Sequence, residues 1–209
     1  MPAFGSNTDR LGSDVPGSRL GFPGQLADGA VNKFSHRVAA IEDLEFLRMV
    51  MHRSIETLQD DFLSPEQVTA SHKVMGLDTQ LVLDGTYFVV ESGNQIAGCG
   101  GWSWRSTLYG GDESLISREP HALDPATDAA RIRAMYTDPS FARQGVGRLV
   151  IRLCEDAALR AGFRRATMMA TMTGVPLYQA CGYAEAEPLV RVNVAGVEVP
   201  LVRMEKQLA

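Results

Sequence analysis

The run RIRAMYTDPSFARQGVGRLVIRLCEDAALRAGF constrains this chain more than any other stretch. An alternating strand ending at Thr137 passes, across Pro139 and the glycines Gly145 and Gly147, into an amphipathic helix closed by Gly162. A tight turn needs one glycine. Two, separated only by Val146, let something approach the backbone closely. The helix places Leu149, Val150, Leu153, Ala157 and Ala161 on one face, with Arg148, Arg152, Glu155, Asp156 and Arg160 on the other. Its first turn carries unpaired backbone N–H groups and the positive end of the helix dipole. With Arg143, Gln144 and Arg148 beside it, such a terminus suits a phosphate or pyrophosphate.

The same glycines also fit a plain strand-to-helix turn, and the common nucleotide motifs do not decide between the two readings. A P-loop would continue with lysine and a hydroxyl, and a Rossmann fingerprint would put a third glycine where Val150 stands. Net charge narrows the ligand instead. At -5 the chain has no general attraction for nucleic acid or anionic membranes, so an anion must be held by a local positive cluster. No apolar run reaches membrane-spanning length, and MPAFGSNTDRLGSDVPGSRL lacks a signal-peptide core, so a cytoplasmic protein is expected. Cys99, Cys154 and Cys181 form no CxxC, and the four histidines form no HExxH. Neither a disulfide framework nor a metal site is expected.

Residues 1–33, rich in Gly, Ser, Pro and Asp, read as a flexible tail, and residues 34–209 as the folded domain. FSHRVAA is a short strand, and the spacing of Ile41, Leu44, Leu47, Val50, Met51, Ile55 and Leu58 predicts a helix. A second helix starts at the capping box Ser64–Gln67, with Pro65 at its first position, and stops at Gly76. TYFVVESGNQIAGCGGWSW is a hairpin, Arg105 to Ala130 is irregular, and RRATMMAT is a strand. GVPLYQACG is a short helix, and VRVNVAGVEVPLVRMEK is a second hairpin about Ala195-Gly196. The order is mixed rather than a strict βαβ alternation, which predicts an α+β domain around one central sheet.

RIRAMYTDP, ARQGVGR and LYQACGY, taken in that order and at that spacing, resemble the GNAT superfamily of N-acetyltransferases. The upstream order of strand, two helices and hairpin agrees with it. The resemblance covers about residues 34–206. It implies a mixed, mostly antiparallel sheet flanked by helices, with a splayed pair of parallel strands forming a cofactor cleft. The cosubstrate it implies is acetyl-CoA. The pantetheine arm would lie along Met135, Tyr136 and Thr137, where Pro139 ends the strand early and leaves its backbone groups open, and the pyrophosphate on Arg143, Gln144, Gly145, Val146, Gly147 and Arg148. Ala142 stands where the family usually has glutamine or arginine, a loss that backbone N–H groups and Arg143 offset.

The same resemblance makes Tyr178 the general acid that protonates the leaving thiolate, although a tyrosine on a short helix also serves as packing. No carboxylate occupies the strand where many relatives carry a glutamate base. Asp112, Glu113, His121 and Asp124 are the loop candidates, and each is equally a solvated surface group. Trp102 and Trp104 fall on one strand face, where core packing competes with walling an acceptor site. Asp60 and Asp61 either attract a cationic amine or form a solvated turn. The expected acceptor is a small-molecule primary amine. A protein N-terminus or lysine, and a non-catalytic acyl-CoA sensor, are the alternatives. A homodimer through the C-terminal hairpin edge stays open.

Overall fold

Strand Tyr87–Ser92 (β2) shows how this chain builds its core. Its run Tyr87, Phe88, Val89, Val90 is buried without interruption, as expected of a strand covered on both faces. Phe88 and Val90 enter one apolar cluster, and Tyr87 and Val89 enter another. The sheet therefore carries a layer on each side. The computed structural model describes residues 33–112 and 121–209. The expected N-terminal tail, apart from Lys33, and the middle of the 105–130 segment lie outside the described residues.

The other strands are Ser35–Val38 (β1), Gln95–Ser103 (β3), Ala130–Thr137 (β4), Arg165–Thr171 (β5), Ala184–Glu185 (β6), Val190–Val194 (β7) and Val197–Gln207 (β8). They form one sheet in the order β1-β2-β3-β4-β5-β8-β6, with β7 also paired to β8. Every pairing is antiparallel except β4 with β5. The helices are Leu44–Leu58 (α1), Pro65–Val74 (α2), Thr79–Leu83 (α3), Val146–Arg160 (α4) and Val175–Ala180 (α5). The α+β architecture follows the expectation.

Helix α4 packs on the first face because Gly98 and Gly100 of β3 leave room for it. A Cβ on Gly98 would meet Val146 Cγ1 at 2.5 Å, and one on Gly100 would meet Val150 Cγ1 at 2.7 Å. The residues it buries are Val146, Val150, Ile151, Cys154 and Ala158. This stripe is rotated from the predicted one: Leu149, Leu153 and Ala157 sit half-buried at its flank, and Ala161 is exposed beyond the last turn. Cys154, a small hydrophobe that the pattern left unused, lies at the centre of the interface.

The second face is covered by α1 through Leu47, Val50 and Ile55 and by the segment around Leu77, Leu81 and Val82. The capping box on α2 forms as predicted, with Gln67 N–H donating to Ser64 Oγ at 3.3 Å and Ser64 N–H to Gln67 Oε1 at 3.0 Å. Gly76 does not cap this helix by a left-handed turn. Its Cα is bare because Gly111 passes there, 2.9 Å from where a Cβ would sit. The short α3, capped by Asp78, had no sequence counterpart. Both hairpins form at their predicted turns, the second through Ala195 and Gly196 at φ 50 and 91.

Candidate active site

Strands β4 and β5 run together only at Ala130↔Ala166 and Arg131↔Thr167. Beyond that point they part. The β3–β4 register shifts between Cys99↔Tyr136 and Gly101↔Arg133, so β4 holds one residue more than its partner there. Such a bulge bends the strand. Ala134 takes φ 50 at the bulge, and the buried Tyr87 hydroxyl donates to its carbonyl at 2.7 Å. Meanwhile β5 follows β8 as far as Thr171↔Leu201. The edge of β4 from Ile132 to Thr137, which includes Met135, Tyr136 and Thr137, is left without a strand on the β5 side among the described residues.

The divergence, rather than Pro139, opens this edge. Pro139 instead starts a 3-10 turn, Pro139–Phe141, whose first N–H groups are capped by Asp138. Ser140 N–H donates to Asp138 Oδ1 at 2.9 Å, and Arg53 of α1 ion-pairs with the same carboxylate at 3.0 Å. The chain then turns through two left-handed residues, Arg143 at φ 62 and Gly145 at φ 90. Holding a non-glycine residue such as Arg143 there costs about 1–2 kcal/mol, a strain that local function commonly accompanies.

Helix α4 makes its first backbone bond from Leu149 N–H to Gly145 O at 3.0 Å, so the N–H groups of Val146, Gly147 and Arg148 have no partner within the helix. The two glycines turn out to have separate roles. A Cβ on Gly145 would meet no described atom within 4 Å, so its left-handed backbone alone calls for glycine. A Cβ on Gly147 would strike Leu177 Cδ2 at 2.7 Å, so that glycine lets α5 close onto the start of α4. Arg143, Gln144 and Arg148 are exposed around this turn, and Val146 is buried beneath it. Gln144 Nε2 donates to Ser140 O at 3.0 Å, and Lys33 Nζ donates to Gln144 Oε1. Lys33 is a cation at the loop that sequence reading missed, because 111 positions separate the two residues.

Tyr178 stands on α5, across the cleft from the open edge. Its ring overlies Gly174, where a Cβ would come within 2.6 Å of Cε2, and it meets Tyr183 edge-on at 6.3 Å. Burial pushes its phenol well above the ordinary tyrosine range, and Cys154 and Cys181 add to the shift. The hydroxyl bonds to no described residue. Tyr178 lines a cavity of about 70 Å³ together with Met135, Tyr136, Arg133, Tyr109 and Thr171. The Tyr136 hydroxyl donates to the carbonyl of Gly76, also in the cavity wall, at 3.1 Å. Arg133 is fixed in the wall by Asp78 at 2.7 Å and Gly110 O at 2.6 Å.

No carboxylate or histidine lines this cavity among the described residues. Asp112 accepts from the Thr79 N–H at 3.2 Å and its hydroxyl at 3.1 Å, beside a neighbouring polar cavity. Asp124 caps a turn through Ala126 N–H at 2.9 Å, His121 is exposed, and Glu113 lies outside the described residues. Trp102 is core, packed edge-on against Trp104 at 5.6 Å and Phe163 at 5.9 Å. Asp60 and Asp61 are an exposed turn. All three cysteines are free, and no described helix is long and apolar enough to cross a membrane.

Among solved structures, the fold is similar to a GCN5-related N-acetyltransferase from Rhodopseudomonas palustris. The TM-score is 0.63 at 19% identity, covering 87% of this chain and 100% of that one. It is also similar to the PaiA N-acetyltransferase of Thermoplasma acidophilum in complex with coenzyme A (TM-score 0.55, 14% identity, 83% and 98% covered). A third is yncA of Salmonella typhimurium with its cofactor acetyl-CoA (TM-score 0.56, 17% identity, 84% and 94% covered). No curated protein sequence matches the chain. The model of the acetyltransferase (GNAT) family matches residues 52–183, well over half of the sequence and the span from the middle of α1 to the aromatic after α5. The chain belongs to the GNAT family of acetyltransferases.

Proposed function

We propose that this acetyltransferase takes its acetyl group from acetyl-CoA and delivers it to the primary amine of a small molecule. The observation that carries the reading is the divergence of β4 from β5, with a left-handed turn into α4 at one end and Tyr178 alongside. The residues fit such a donor. Open space before Gly145, three helix N–H groups without helical partners and the side chains of Arg143 and Arg148 suit a pyrophosphate. The unpaired edge at Met135, Tyr136 and Thr137 suits the amides of a pantetheine arm, which would add to it as a strand.

Bound acetyl-CoA supplies the activated thioester. This chain's own contribution is to align it, exclude water and manage protons. Tyr178 holds a proton at its hydroxyl because burial disfavours the phenolate, and a thiolate leaving beside it would receive that proton. With no carboxylate or imidazole among the described residues of the cavity wall, the ammonium proton of the acceptor leaves through water.

A narrow cavity with no acid among its described lining residues offers little grip to a basic peptide, which favours a small acceptor. The test is a panel of primary amines and of peptides bearing lysine or a free N-terminus, each incubated with acetyl-CoA while free thiol is measured. At least one small amine is expected to release thiol well above hydrolysis. Release with peptides alone would overturn the acceptor class, and release with no acceptor would overturn the transferase reading.

A further inference from the structure

Away from the cleft, α1 and α2 bring together side chains that the proposed reaction does not use. His52 and Glu56 lie one turn apart on α1, and His72 comes from α2. One ligand atom from each falls within 4.8 Å of the others. The two imidazoles stack at 5.1 Å between centroids and 29° between planes. His72 Nδ1 is buried with no hydrogen-bond partner among the described residues, an unusual state for a polar atom in a folded protein.

We infer that His52, Glu56 and His72 form a binding site for a divalent transition-metal ion, with zinc as the representative cation, which ties α1 to α2. Two neutral imidazoles and one carboxylate are a donor set that suits zinc and its neighbours, with the remaining positions left to water. Ligands of a tetrahedral zinc at about 2.0–2.1 Å lie about 3.4 Å apart, so the widest pair here must close by about 1.4 Å. His52 and Glu56 are exposed. The ion would span the Gln59–Ser64 turn. Helix α2 then leads straight into Val74, Met75 and Gly76, which line the cavity at Tyr178.

The full-length chain, stripped of metal, is titrated with Zn2+ while its melting temperature is followed, and separately with Co2+ while its visible absorption is followed. At about 100 times the dissociation constant, a single site is expected to raise Tm by about 5–10 °C. Co2+ should give the intense visible bands of a low-coordinate nitrogen and oxygen site. His52→Ala and His72→Ala should each abolish both signals, and Glu56→Gln should weaken binding about tenfold or more. His36→Ala, on the exposed β1, should change nothing. His52 and Glu56 are exposed on a helix, so their variants fold even if the His72 variant does not. Absence of a Zn2+ shift in the wild type, or its survival in both His52→Ala and Glu56→Gln, would overturn the site.

Discussion

Tyr178→Phe is expected to lower kcat by about 10²–10⁴-fold while the acetyl-CoA dissociation constant stays within about twofold. The ring lies over Gly174 and against Tyr183, and phenylalanine keeps both contacts. Only the phenolic proton is lost. Because burial raises the phenol's pKa, the proton is retained through and beyond the ordinary tyrosine range. Wild-type turnover therefore should not fall as pH rises toward about 10 from loss of this acid. Single-turnover kinetics with the acceptor found in the amine panel isolate the chemical step. A mutant within about twofold of wild type would make Tyr178 a packing residue and leave every proton to water.

Gly145→Asp is expected to eliminate acetyl-CoA binding while α4 still forms. The φ of 90 costs a side chain about 1–2 kcal/mol, and the added carboxylate projects into the space a pyrophosphate would take. Like charges about 5 Å apart repel by about 3 kcal/mol at an effective dielectric of 20, which is more than a hundredfold in affinity. Gly145→Ala separates the two effects by adding backbone strain without charge. Gly147→Asp is a poorer probe, because its Cβ would first displace Leu177. A folded Gly145→Asp protein with unchanged affinity would reduce that glycine to a turn residue.

The parts of this molecule that were legible in sequence are those specified by neighbours along the chain. Gly145, the Ser64–Gln67 capping box and the turn at Ala195-Gly196 each carry their geometry within a few residues. The bulge at Ala134 was not legible, because a non-glycine residue there is held left-handed by Tyr87, 47 positions away. Reading Pro139 as the cause put a local explanation on a tertiary effect. The buried stripe of α4 was rotated for a similar reason: Gly98 and Gly100 on β3 decide which helix residues enter the sheet. Lys33 beside Gln144, and His72 beside His52 and Glu56, are meetings across elements that no spacing rule could supply.

The measurement that bears most directly on the central claim is the thermal stability of the full chain against acetyl-CoA, with desulfo-coenzyme A as competitor. If the splayed strands and the turn at Gly145 hold the cosubstrate, ligand at about 100 times a micromolar dissociation constant adds about 2.7 kcal/mol. For a chain of this length that raises Tm by about 5–10 °C. Desulfo-coenzyme A, which keeps the pyrophosphate and the pantetheine amides, should compete with acetyl-CoA for the same site. An unchanged melting temperature across that range would contradict the assignment of the cleft.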